Sequence, residues 1–176
     1  MLTSQCPSCG APIEFRHAAS VAAVCPACTS TVLRSDESLS AVGKISSMAR
    51  DLSPIQIGVM GTFGSRGFNV AGVLRKSREG VRWNEWYVVF DDGDTGWLSD
   101  GNGEMQIYSA PAASVSIPEY KLGQRLELGG KNWVVAEKSS AKVIAAEGEL
   151  PFAVVQDQSF PYGDLRAAEG QGVATI

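Results

Sequence analysis

Alternation of apolar and polar residues dominates the chain from Pro54 onward, and that period predicts strands rather than helices. Runs at 56–63, 67–76, 81–91, 96–99 and 104–109 are punctuated by Gly, Asp and Asn. Within the second run, Phe68, Val70 and Leu74 share one face. The third run is apolar on both faces, with Trp86, Val88 and Phe90 on one and Trp83, Glu85, Tyr87 and Val89 on the other, so it is expected to be central and covered. Asp91-Asp92-Gly93-Asp94-Thr95-Gly96 is a tight hairpin signal. Beyond Pro118, further strands are predicted at 120–128, 132–139 and 142–147, with Gly129-Gly130 as a turn. The expected fold is mainly β, with one or two small antiparallel barrels or rolls of SH3-like size.

The two β stretches rhyme. Ile57-Gly58, Gly64 and Phe68-Asn69-Val70-Ala71 recur at the same spacing as Leu122-Gly123, Gly129 and Trp133-Val134-Val135-Ala136. An internal duplication would give two small β units, each needing the other for a core. Any two glycine-turned hairpins with an aromatic opening share such a pattern, so the sequence leaves duplication and coincidence both open. Between 35 and 53 the texture changes. Leu39, Val42, Ile45, Met48 and Leu52 recur at spacings of three and four, and Ser35 or Asp36 could cap a helix there. Gly43 and the serines weaken that pattern, which reads as a short helix or a linker closed by Pro54.

The segment before it is organised differently. The chain's four cysteines form two Cys-x-x-Cys pairs, Cys6-Pro7-Ser8-Cys9 and Cys25-Pro26-Ala27-Cys28, fifteen residues apart. That spacing suits a tetrahedral four-thiolate metal site, most often zinc, with iron chemically open to the same donors. The proline in each pair pre-forms the turn, and Gly10 permits close backbone approach. Thr29 stands where the second knuckle would ordinarily have glycine. A disulfide framework is disfavoured because no signal peptide precedes the cysteines, and a thioredoxin-like pair would need a βαβ setting that is missing. His17 lies between the pairs and is expected to be an ordinary surface residue.

These readings divide the chain into a rubredoxin-like zinc ribbon at 1–34, a linker or short helix at 35–53, a β unit at 54–117 and a second at 118–176. The last is expected to be incomplete, because Gly172-Val173-Ala174-Thr175-Ile176 reads as the start or middle of a strand and the chain as part of a longer protein.

Net charge is −4 over 176 residues, and the ribbon carries only Arg16 and Arg34 against Glu14. Nucleic-acid binding needs a stripe of phosphate-neutralising side chains and is disfavoured. No run approaches the ~18 apolar residues of a spanning helix, so direct membrane insertion is not expected and a soluble, cytoplasmic protein is. Turn chemistry accounts for Asp91, Asp92, Asp94 and Asp100, which lack the downstream glutamate of a calcium loop. Trp83, Glu85, Trp86 and Trp97 could line a groove for a small amine or other cationic guest through cation–π contact, or could simply be core. The sole histidine lies in the ribbon, the thiols are committed to metal, and no nucleophile elbow or phosphate loop occurs, so no enzymatic activity is expected.

Trp83-Asn84-Glu85-Trp86-Tyr87-Val88-Val89-Phe90, followed by Gly96-Trp97-Leu98-Ser99 and Gly103-Glu104, resembles an uncharacterised bacterial family known as domain of unknown function 4178. The strand at 61–72 and Glu147-Gly148-Glu149-Leu150-Pro151-Phe152 extend the resemblance over most of 54–176. The family also has members with an N-terminal ribbon and members that continue past the equivalent of Ile176. The resemblance supplies no catalytic residues and implies an accessory role. The expected function is a zinc-stabilised, non-enzymatic protein-interaction or adaptor module of a bacterial cytoplasmic assembly. A small-ligand or polyamine sensor is the alternative, and nucleic-acid binding through the ribbon comes third.

Overall fold

A computed structural model describes residues 2–35, 38–50, 53–101, 104–109, 119–170 and 172–175. Asp36, Leu52, Gly103, Pro118 and Ile176 lie outside the described residues. The described residues hold fourteen antiparallel strands and no α-helix. None of their elements is a helix long and apolar enough to cross a membrane.

The N-terminal segment forms two hairpins. Leu2–Gln5 (β1) pairs with Pro12–Phe15 (β2), and Ala22–Val24 (β3) pairs with Ser30–Arg34 (β4). Leu39–Lys44 (β5) then adds to β4. This corrects the helix reading of that segment. Of the apolar residues at helical spacing, Ile45 is buried while Val42 is exposed. A Cβ on Gly43 would meet Val155 Cγ1 at 2.4 Å, so this glycine serves a close approach. The ladder with β4 gives the backbone partners that a weak helix former could not secure alone.

The two halves of the rest of the chain share a hydrogen-bond pattern. Met60–Phe63 (β6) pairs with Arg66–Arg78 (β7), with Gly61 opposite Phe68. Thr95–Gly101 (β9) and Glu104–Ser109 (β10) follow Val81–Phe90 (β8). In the second half, Arg125–Leu128 (β11) pairs with Lys131–Leu150 (β12), with Leu126 opposite Trp133. Ser159–Ala167 (β13) and Val173–Thr175 (β14) complete it. Gly58 N–H donates to Val70 O and Gly123 N–H to Val135 O, at 2.8 and 2.9 Å. On β7 and β8, Phe68, Asn69 and Val70 face Phe90, Val89 and Val88; after a bulge, Gly72 faces Tyr87. On β12 and β13, Trp133, Val134 and Val135 face Ala167, Arg166 and Leu165; after the same bulge, Glu137 faces Asp164. The next strand docks alike, with Trp97 opposite Tyr87 and Thr175 opposite Asp164. The bulge falls at Ala71 in one half and at Ala136 in the other, within the matched motif, so the two halves share backbone geometry as well as residue pattern.

The two units do not close into separate barrels, which corrects that expectation. β12 is twenty residues long. Its first half belongs to the second repeat, and its second half pairs with β7 of the first repeat and with β3 of the ribbon. One open sheet therefore runs β10-β9-β8-β7-β12-β3-β4-β5 across the ribbon and both repeats. Ala22, Val24, Leu74, Tyr87, Val143, Leu150 and Val154 form the core where they meet. A second core lies on the other face of β7 and β8, around Val70, Val73, Trp86, Val88 and Phe90.

Candidate metal centre and aromatic cleft

The two Cys-x-x-Cys turns cap the ribbon hairpins and share one geometry. In the first, Cys6 N–H donates to Ala11 O and Gly10 N–H to Cys6 O, both at 2.8 Å. In the second, Cys25 N–H donates to Ser30 O and Thr29 N–H to Cys25 O, both at 2.9 Å. Each turn closes on a residue with positive φ: Gly10 at 77° and Thr29 at 60°. Thr29 thus adopts the backbone conformation that glycine favours, at a steric cost.

The four Sγ atoms lie within 4.8 Å of one another. Cys6 and Cys28 Sγ are 3.8 Å apart, and Cys9 and Cys25 Sγ 3.7 Å. A tetrahedron with metal–sulfur bonds of about 2.3 Å has edges of about 3.8 Å, so these separations fit a single four-thiolate ion. All four cysteines are free of disulfide bonds, with Cys6 and Cys25 buried, Cys28 half-buried and Cys9 exposed. The Ser30 hydroxyl, then the Ser30 backbone amide, hold the Cys28 thiol down at about 6. Cys9 is subject to a lowering pull from the Ala11 amide, yet the Cys28 sulfur, burial and the other thiols push it up to about 12. Binding of a metal ion by such thiols releases protons.

The ribbon is anchored as well as folded. Among the described residues its own core comprises Cys6, Ile13, Phe15, Ala23, Cys25 and Val32, with Ala11, Cys28 and Leu39 at its edge. Buried Glu149, on β12, reaches into it: the carboxylate accepts from Arg16 N–H at 2.9 Å and from His17 N–H at 3.1 Å, and His17 Nδ1 lies 3.2 Å away. His17 is thus no ordinary surface residue but part of a clamp between ribbon and sheet. Thr31 Oγ1 donates to Val154 O at 2.6 Å beside it.

Of the predicted groove residues, Trp83, Glu85 and Trp97 line one cavity of about 490 Å³. Trp86 does not. It points to the opposite face of β8, is 5% exposed in the second core, and its indole N–H has no hydrogen-bond partner among the described residues. Glu85 accepts from Trp83 Nε1 at 3.1 Å and pairs with Lys76 Nζ at 2.5 Å. Facing these across the cavity are Phe160, Tyr162 and Asp164 of β13. By the matched registers, Phe160 and Tyr162 occupy the positions in the second repeat that Trp83 and Glu85 hold in the first. Sequence reading missed them because Ser159–Ala167 and Val81–Phe90 share almost no residues; extending the glycine-turn repeat by one strand would have found them.

An all-β chain with a four-thiol cluster capable of holding a metal ion is thus the class defined by this fold and site. The chain belongs to the family described as Domain of unknown function (DUF4178), which matches residues 56–176. No curated protein and no solved structure matches the chain.

Proposed function

We propose that Cys6, Cys9, Cys25 and Cys28 hold a structural zinc ion and that the chain is a non-enzymatic protein-interaction module of a bacterial cytoplasmic assembly. Four soft sulfur donors at tetrahedral separations favour zinc, or iron in its place, and leave no open coordination position for catalysis. Engagement of His17 with Glu149 supports the non-enzymatic reading.

One observation carries the interaction role: β6 and its approach expose Ile57, Val59, Met60 and Phe63, with Met60 at 80%. β6 pairs only with β7 among the described residues, so an apolar row borders an unpaired strand edge. Such an edge accepts an added strand of a partner, with side-chain contacts giving selectivity. Nucleic acid is disfavoured further because Arg16 is bound to Glu14 and Arg34 lies over the Phe15 ring and donates to Ala18 O. The test is affinity capture with the intact gene product, alongside a Met60→Asp/Phe63→Asp variant of equal metal content. A stoichiometric partner recovered by the parent and lost by the variant is expected; equal recovery by both would refute the assignment of the β6 edge.

The second reading, a small-ligand sensor, is favoured by the cavity that brings Trp83, Glu85 and Trp97 together.

A further inference from the structure

The cavity lies where the two repeats face each other, and its walls come from matched strands: β8 and β9 on one side, β13 and β14 on the other. A volume of about 490 Å³ suits a small organic molecule. The walls are unusually aromatic. Trp97 stacks tilted on Phe152 at 5.9 Å, and Phe152 on Phe160 at 5.5 Å, so one row of rings runs along the cavity. Trp83 and Tyr108 add further faces. Rings of this kind select flat apolar bodies and cations, and repel anions from their faces.

The charges narrow the class. Glu85 is already neutralised by Lys76, whose ammonium also sits 6.0 Å from the Phe160 ring centroid. That pair shows the cavity wall holding an ammonium between a carboxylate and an aromatic face, but it leaves Glu85 little to offer a guest. Asp164 differs. Its carboxylate accepts from Thr175 Oγ1 at 2.8 Å and makes no ion pair among the described residues. Burial, first, and then the charges of Asp164 and Glu85 push the Tyr108 phenol up, against a lowering contact with Thr175. Arg82 also borders the cavity and would favour an anion, but it is exposed to solvent, which screens its charge.

We propose that this inter-repeat cavity binds an organic monocation, an ammonium group on an apolar body, with Asp164 as counter-ion and Trp83, Trp97 and Phe160 as its walls. The proposal rests on the small-ligand reading above and names its ligand class and anchoring residue. Neither Glu85 nor Trp86 is the anchor: one is internally paired, the other faces away.

Three probes of one shape separate the cases: benzyltrimethylammonium, benzyl alcohol and phenylacetate, titrated into the metal-loaded full chain by calorimetry and tryptophan emission. The cation is expected to bind about tenfold more tightly than the alcohol, with phenylacetate weakest. Asp164→Asn should weaken the cation about tenfold and leave the alcohol unchanged, while Asp164→Glu restores most of the loss. Circular dichroism and metal content report whether each variant folds, and the charge preference of the parent stands independently of them. Equal affinity for all three probes would overturn the cation assignment while leaving a ligand cavity in place. No binding of any probe up to about 10 mM would overturn both.

Discussion

Replacing Glu149 by glutamine tests the clamp between ribbon and sheet with almost no change of shape. The native carboxylate accepts two backbone N–H groups and faces His17 Nδ1, at 2.9, 3.1 and 3.2 Å. Hydrogen bonds to a charged group contribute about 1.5–3 kcal/mol, and neutral ones about 0.5–1.5 kcal/mol. Oε1 serves Arg16 N–H and His17 Nδ1, whereas Oε2 serves His17 N–H. A glutamine that keeps its oxygen toward Arg16 turns its amino group on the His17 N–H, so one bond is lost and two donors meet. With the remaining bonds weakened, the cost is about 2–3 kcal/mol. For a chain of this size that corresponds to a fall in Tm of about 4–12 °C. Differential scanning calorimetry of the metal-loaded variant measures it, and the rate of metal loss to a chelator should rise in parallel, because the ribbon is freed from its anchor. A Tm within about 1 °C of the parent, with unchanged metal loss, would show that Glu149 does not couple the two parts.

Three further outcomes are expected. Thr29→Gly relieves a threonine held at positive φ and should stabilise the metal-loaded protein by about 0.5–1 kcal/mol in urea unfolding, because the steric relief exceeds glycine's entropic cost. Gly72→Ala should cost more than about 3 kcal/mol or abolish soluble expression, since its Cβ would lie 1.9 Å from Glu149 O in the adjoining strand; urea unfolding at parental midpoint would contradict the packing. Metal affinity should fall as pH falls, because binding releases thiol protons and acid returns them; cobalt(II) charge-transfer absorbance followed from neutral to acidic pH checks the sign, and a flat profile would argue against thiolate ligation.

Much of the architecture was legible because its signals are local. Cys-x-x-Cys spacing needs only a tight turn, so the clustering of the four thiols could be read from residue type and separation. The strand at 81–91 announced its central place by being apolar on both faces, and Tyr87 and Trp86 indeed enter different cores. What failed was reading that depended on distant partners. Leu39–Lys44 became a strand because β4 offers it a ladder and Val155 leaves no room beside Gly43, neither of which lies within the segment. Trp86 joined the groove prediction by proximity in sequence, although the period of a strand sends it to the opposite side from Trp83. Asp164 carries no sequence signal of its own; only its register opposite Glu137, matched to Tyr87 opposite Gly72, brings it to the cavity.

The long strand Lys131–Leu150 has a mechanical implication. Pulling on the chain from either terminus loads this one segment, since it is stitched to the second N-terminal hairpin through β3 at one end and to β13 at the other. The molecule should consequently rupture as a unit instead of shedding modules one after another, and a nick placed within that strand would disable it more thoroughly than a nick in either glycine turn.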